Sequence, residues 1–278
     1  MCIIVTNLFW FAEMLFLSFA EMAIITLTSD LGFRDHYAAI VKGAIATAVP
    51  NASIIDISHN IAAFDIQQAA YILRSSYRHF PEKTVHVIGV EAEGRSPKRC
   101  IAASHDQHFF VCIDNGLMSL VFEEQLHEVV EIAGSAGFKS PFLIKDVLVP
   151  AACRLASGKG LNQVGAPTQN VESRMFLNPP EPPDVINAKV VYVDGFGNVI
   201  LDVTRHKFDR VGRGRSFTIY FKRRETLEKI HTTYNEVPSG ERLCLFNSAG
   251  HLEIAINKGS AKNLFGLSIG ETIQIVFQ

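Results

Sequence analysis

The chain lacks most of the features that declare a function early. Its five cysteines, Cys2, Cys100, Cys112, Cys153 and Cys244, are odd in number, scattered and without a CxxC pair, which excludes a disulfide framework. Cysteines in such apolar surroundings are expected to be buried and reduced, so a cytoplasmic compartment is expected. Net charge is scant, −2 from 26 basic and 28 acidic residues. No electrostatic footprint for nucleic acid or an anionic membrane results, and neither partner is expected. Long apolar runs are missing too. Phe9–Ala12 and Leu15–Ala20 are interrupted by Glu13 and Glu21 and preceded by no basic residue, whereas a membrane span takes roughly 20 apolar residues and a secretory signal a basic first segment. Residues 1–21 are therefore read as an extension with no assigned role, and Met22 stands directly before the first core strand.

Phosphate and metal chemistry are equally unprovided for. No glycine-rich loop follows a strand, since Asp30-Leu31-Gly32-Phe33-Arg34 has one glycine, so neither a nucleotide phosphate nor a nicotinamide cofactor is indicated. The ten histidines form no metal set. His105 and His108, flanking Asp106 and Gln107, read as a solvated hairpin turn. No metal and no resident cofactor are expected.

What is present is enough apolar material for one large or two smaller cores: 278 residues, 48% hydrophobic and 19% charged. From Met22 onward strand-like and helix-like segments alternate. Ala23–Thr28, Ser53–Ile57, Thr84–Val90 and Phe109–Ile113 read as strands, while Asp35–Val49, Asp65–Arg78 and Val147–Ala156 read as helices. This predicts an α/β domain over 22–177 with a mostly parallel sheet flanked by helices. Four prolines in Pro179-Pro180-Glu181-Pro182-Pro183 then mark a linker over 178–184. Beyond it, 185–278 carries short alternating segments separated by turns (Ala188–Val193, Asn198–Val203, Ser216–Phe221, Arg242–Phe246, His251–Ile256, Thr272–Phe277), which predict a small antiparallel β-barrel.

Two acidic turns stand out. Ile24-Ile25-Thr26-Leu27-Thr28-Ser29-Asp30-Leu31-Gly32 and Val191-Tyr192-Val193-Asp194-Gly195-Phe196-Gly197-Asn198 each set an apolar run before an Asp and a Gly. A carboxylate is thereby placed where a buried strand ends, the position at which open α/β sheets bind small ligands.

These turns belong to an ordered set: Thr28-Ser29-Asp30-Leu31-Gly32, Asp56-Ile57-Ser58-His59-Asn60, Val85-His86-Val87, Asp114-Asn115-Gly116, Asp194-Gly195-Phe196-Gly197-Asn198, and Asn247-Ser248-Ala249-Gly250 followed by Leu252-Glu253-Ile254-Ala255. The set resembles the S-adenosyl-L-methionine hydroxide adenosyltransferase family, to which the fluorinases and chlorinases also belong, from about Met22 to the last residue. The resemblance implies an α/β domain, a C-terminal β-barrel, and a homotrimer with each site between one subunit's N-domain and a neighbour's C-domain.

It also implies roles. Asp30 would take the ribose 2′ and 3′ hydroxyls, a task suited to a carboxylate fork, although alone it equally suits a turn cap. Asp35 is either a helix N-cap or a partner of the methionine ammonium. Phe64 would lie against the sugar and sulfonium, where a cation on an aromatic face gains on the order of 1 kcal/mol; the alternative is a core phenylalanine. Asp194 would take the methionine amino group, with Phe196 and Asn198 near adenine, the alternative being a hairpin in which Asn fills a left-handed position. Ser248 would contact the methionine carboxylate or be a plain turn serine.

The reaction centre departs from the family pattern. Where the hydrolytic branch has Asp and Arg, Val90-Glu91-Ala92-Glu93-Gly94-Arg95-Ser96-Pro97-Lys98-Arg99 places Glu91, with Lys98 or Arg99 as cation. Where it has a His, Phe142-Leu143-Ile144-Lys145-Asp146 places Leu143. The halogenating branch fits less, since Glu91 and Ile144 stand in its halide pocket and a carboxylate repels a halide. The leading expectation is a hydrolase that converts S-adenosyl-L-methionine to adenosine and L-methionine, with Glu91 orienting water and Lys98 or Arg99 beside it. The alternative is a non-catalytic adenosyl-binding relative that has lost the water-activating His.

Overall fold

The structure, a computed structural model, describes residues 22–90, 99–122, 126, 128–174, 182–222 and 225–278. The extension 1–21, Glu91, Lys98 and the first four residues of the proline-rich linker lie outside the described residues. Contacts divide the chain into two units, one of residues up to Ala69 with Tyr77–Ser173, the other of Ala70–Ser76 with the residues from Arg174 onward.

The first unit is built on β1 (Ile24–Ser29), α1 (Tyr37–Ala48), β2 (Ser53–Ser58), the first turn of α2 (Ile66–Ser76, whose residues from Ala70 group with the second unit), β3 (Val85–Gly89), β4 (Cys100–His105), β5 (His108–Ile113), α3 (Leu117–Val121), β6 (Glu128–Ile132), α4 (Val149–Ala156) and β7 (Gly165–Pro167). Its seven strands run in the order β2-β1-β3-β5-β4-β6-β7. The expected mostly parallel sheet is corrected to an evenly mixed one. β2, β1, β3 and β5 pair in parallel, but β5–β4, β4–β6 and β6–β7 are antiparallel. The reason is the two-residue turn Asp106-Gln107, with both residues at positive φ, which can join β4 and β5 only as a hairpin. The turn residues Asp106 and Gln107 are exposed, as the sequence reading expects, but the flanking His105 and His108 are largely buried. His108 is 5% exposed and shares a 3.2 Å hydrogen bond with the fully buried His86, whose other nitrogen, Nδ1, lies 2.7 Å from Thr26 Oγ1. Burial pushes His86 down to about 3, with the neighbouring His108 adding to the effect.

The core forms as periodicity dictates. Ala38, Val41 and Ile45 put one face of α1 inward, and α4, which packs against α1 and β3, buries Ala151, Ala152 and Leu155. β3 is buried at all five positions, as a strand covered on both faces should be. α1 begins at Tyr37, two residues later than expected, with no side-chain cap on it, so Asp35 is not its N-cap. α4 is preceded by a π-helical turn, Ile144–Leu148.

The second unit carries β8 (Val185–Val193), β9 (Val199–Thr204), α5 (Arg205–Gly212), β10 (Phe217–Phe221), β11 (Glu225–Leu227), β12 (Ile230–His231), β13 (Arg242–Phe246), β14 (His251–Ile256), α6 (Ala261–Phe265) and β15 (Thr272–Phe277). The eight strands are ordered β11-β10-β15-β8-β9-β14-β13-β12 in a sheet that curls, β11 also approaching β13. Every described pairing is antiparallel except β12–β13, which is parallel. Alternate residues of these strands, among them Ile186, Ala188, Val190, Leu201, Ile254 and Ile275, fill its core.

Candidate ligand site

β1 lies between β2 and β3, so the chain leaves it to one side first and returns on the other. Such a reversal opens a crevice at the carboxyl ends of the strands, and Asp30 stands there. Its carboxylate reaches across to the next strand's connection, accepting the Phe64 N–H at 3.0 Å. Phe64 has φ +66°, costly for a residue with a side chain, and its ring is 48% exposed. The core-phenylalanine alternative is thereby excluded. Ser29, directly before Asp30, is buried and bonded to His59 Nδ1 at 2.6 Å. Asp35 lies exposed in the bend before α1.

At the end of β3, Val90 gives its carbonyl to Asn115 Nδ2 at 2.9 Å. Nine sequence positions later Arg99 donates Nε–H to Asp114 at 2.6 Å and approaches Glu131 at 3.4 Å, while the Asp114 side chain is 3% exposed. The Asp114-Asn115 pair therefore anchors both residues that border 91–98. Arg99 has its guanidinium engaged by two carboxylates. Leu143 is 9% exposed and belongs to the apolar core with Val147 and Leu148. At the neighbouring position, Ile144 packs so closely on Gly89 that a methyl there would fall 2.5 Å from it.

In the second unit, the turn between β8 and β9 is organised by one carboxylate. Asp194 Oδ1 accepts the N–H groups of Phe196 and Asn198 at 2.9 and 2.8 Å, and Oδ2 accepts Asn198 Nδ2–H at 2.9 Å. The left-handed position belongs to Gly197, φ +81°, and not to Asn198. With its backbone held this way, Phe196 projects 81% exposed, and the largely buried Asn198, its amino group committed to Asp194, lines the adjoining cavity. That cavity, about 700 Å³, is lined by Asp194, Phe196, Asn198, Tyr234, Asn257 and Ser260 among others.

Two contributors went unassigned in the sequence. Tyr234 donates its hydroxyl to Glu253 Oε1 at 2.7 Å, and Glu253 is 3% exposed. Burial pushes the Glu253 carboxyl up, opposed by the Tyr234 hydrogen bond, and Tyr234 is raised as well. The signal for Glu253 lay in Leu252-Glu253-Ile254-Ala255, where a charged residue interrupts a buried strand. Tyr234 had none. Ser248 is exposed in the 247–250 turn, which Asn247 holds by accepting the Ala249 and His251 N–H groups at 3.1 Å. It is not among the residues lining the cavity.

Chemically, the second-unit cavity offers two aromatic side chains, two amides, one carboxylate (Asp194) and one ammonium (Lys258), a set suited to a flat, polar-edged base. Among the described residues no group of three His, Cys, Asp or Glu could hold a metal ion, and no helix is long and apolar enough to cross a membrane.

Comparison with known proteins bears on both units. A family model described as SAM hydroxide adenosyltransferase N-terminal domain matches residues 25–165, and one described as the C-terminal domain matches 188–274. An (R)-S-adenosyl-L-methionine hydrolase of Thermus thermophilus is 30% identical over 265 residues, 89% of this chain and 97% of the relative. A fluorinase of Actinoplanes sp. is 23% identical, with 91% and 97% covered. A crystal structure of an uncharacterised conserved protein from Thermotoga maritima superposes with a TM-score of 0.81 at 28% identity, covering 91% of this chain and 99% of that one.

Proposed function

Because the chain belongs to the SAM hydroxide adenosyltransferase family, we propose that it hydrolyses S-adenosyl-L-methionine to adenosine and L-methionine. What carries the reading is the 30% identity along 89% of the chain to a relative named for that hydrolysis, against 23% to a fluorinase. The relative's name specifies the (R) epimer at sulfur, so that epimer is the substrate to try first.

In this reading Asp30 takes the ribose hydroxyls with Phe64 beside the sugar, and Phe196 and Asn198 take adenine. Asp194, Asp35 and Ser248 serve the methionine end. Water oxygen bonds to the ribose C5′ as the C5′–S bond breaks, and sulfur keeps the electron pair and leaves as neutral thioether. No acid is needed for that leaving group. The water's proton goes to Glu91. With Arg99 engaged by Asp114 and Glu131, Lys98 is the cation assigned beside Glu91, and Arg99 anchors the end of the segment. Most of the rate then comes from alignment and from desolvating the sulfonium. S-adenosyl-L-methionine is consumed as substrate, and no cofactor takes part. Three copies assemble, each site drawing its ribose-holding residues from one copy and its adenine-holding residues from a neighbour. A cytoplasmic location fits the four described cysteines, all of them buried.

The test is incubation of purified protein with each epimer, reading adenosine and methionine by chromatography, beside a calorimetric titration. Product above the spontaneous background is expected. Binding without product means a non-catalytic relative, and neither means a different ligand. Glu91→Gln is expected to abolish turnover while sparing binding; unchanged turnover removes Glu91 from the mechanism.

A further inference from the structure

Beneath the Asp30 turn runs a chain of four polar side chains with no assigned part in binding. Ser29 Oγ lies 2.6 Å from His59 Nδ1, His59 Nε2 3.1 Å from Asp56 Oδ1, and Lys42 Nζ 2.5 Å from Asp56 Oδ2. Ser29 and His59 are 3% and 1% exposed. The partners fix the protons. An ionised carboxylate only accepts, so His59 donates from Nε2 and must accept at Nδ1, and the Ser29 hydroxyl donates to it. The same hydroxyl oxygen accepts the Leu31 N–H at 3.3 Å. Backbone ties close the figure: Gly32 N–H donates to the His59 carbonyl at 2.7 Å, and Ile61 N–H to the Ser29 carbonyl at 3.4 Å. Asp30 is thus flanked on both sides by residues bolted to the His59 connection, and it reaches over to Phe64 within that connection.

We propose that Ser29 and His59 are positioning residues for the Asp30 carboxylate, locking the β1 and β2 turns together so that it meets a ribose diol already aligned. The inference rests on the ribose role given to Asp30 above. A buried imidazole and hydroxyl are costly compared with apolar side chains of like volume, and a fully satisfied polar network returns a single geometry more than it returns stability. At 3% exposure the Ser29 hydroxyl offers a substrate no face, so its resemblance to a Ser-His-Asp nucleophile carries no acyl chemistry. Fold alone does not explain the chain's location either, because it ends on the one backbone turn that presents Asp30.

The test is calorimetric binding of adenosine and of 2′,3′-dideoxyadenosine to the full chain. The unsubstituted protein is expected to prefer adenosine by roughly 10- to 100-fold, the range for hydrogen bonds to a charged group. Ser29→Ala should cut that preference by about tenfold while leaving the dideoxy ligand's affinity unchanged, and Ser29→Thr, which keeps the hydroxyl, should restore most of it. Should Ser29→Ala not yield folded protein, Asp56→Asn at the partly exposed far end reads the same chain, with the same direction expected. Equal loss for both ligands, or an unchanged preference, overturns the positioning role. Absence of any preference in the unsubstituted protein overturns the ribose role of Asp30 and this inference with it.

Discussion

Asp194→Asn is expected to change which base the second-unit cavity takes. In the native turn the carboxylate accepts at both oxygens, so Asn198 must turn its amino group to Asp194 Oδ2 at 2.9 Å, which leaves its Oδ1 as the amide atom a ligand in the cavity would meet. An acceptor in that place pairs with the 6-amino group of adenine. The substitution keeps one oxygen for the two backbone N–H groups at 2.9 and 2.8 Å, so the turn survives, but it sets a new amino group against that of Asn198. Two donors cannot face each other, and the cheapest relief is a half-turn of the Asn198 amide. The cavity then meets a donor where it met an acceptor.

A buried donor or acceptor left unpaired costs about 1–3 kcal/mol. Adenosine should therefore weaken roughly 10- to 100-fold, while inosine, with an oxygen at position 6, should weaken little or tighten. Both nucleosides lack the methionine ammonium, so the lost charge does not enter the comparison. Calorimetry on the two ligands with native protein and variant gives the ratio directly. Equal weakening of both nucleosides, or an unaltered ratio, refutes the reasoning. Asp194→Ala is the control, since it releases three hydrogen bonds at once and should weaken both ligands together.

Two further outcomes follow from local geometry. Gly197→Ala forces a side chain onto φ +81° and puts its methyl 2.1 Å from Ser260 Oγ, the group that caps α6 by accepting the Asn263 N–H; strain and a displaced cap together should cost about 2–3 kcal/mol, measured by calorimetric melting, and a loss below about 0.5 kcal/mol contradicts it. His86, ordinarily near 6.5 but held at about 3 by burial, binds its proton more readily unfolded. Its contribution is therefore intact above pH 6.5 and lost as pH falls toward 3, at up to about 1.4 kcal/mol per pH unit. His86→Phe should make the acid limb of a denaturation series shallower by about one proton, and an identical slope refutes this.

Legibility in the sequence followed the range of the interactions concerned. β1, β2, β3 and five strands of the second unit (β9, β10, β13, β14 and β15) were readable within a residue or two because apolar alternation and turn residues are local signals, whereas β8 begins three residues earlier than expected and the short β11 and β12 were not read at all. The mixed sheet was not, because β4, β6 and β7 are defined by their neighbours: Cys100–His105 becomes an antiparallel strand only when the Asp106-Gln107 turn folds it back on β5. The start of α1 was misplaced for the opposite reason, an Asp that suits an N-cap locally but stands exposed two residues early. At the site, carboxylates at strand ends announced themselves, whereas Tyr234 is tied to Glu253, 19 residues away, and His59 to Ser29, 30 residues away. A hydrogen bond across such separations leaves no pattern in a linear string.

The distribution of polar side chains also bears on how a hydrolase could dispense with an imidazole at position 143. Leu143 sits in a continuous apolar core with Val147 and Leu148, surroundings in which burying an imidazole is costly. By contrast the turns that present Asp30, Phe196 and Asn198 are each held by several hydrogen bonds. Among the described residues, hydrogen-bonded turns stand where a ligand would be gripped, while position 143 itself is apolar. For displacement at a sulfonium that division is chemically consistent, because the leaving group departs neutral and only the attacking water must lose a proton. General acid or base assistance is worth typically 10²–10⁴-fold, while alignment of reactants supplies up to about 7–11 kcal/mol. A chain that keeps its grip and loses its imidazole thus gives up the smaller of the two contributions, and its turnover should be slow with binding intact.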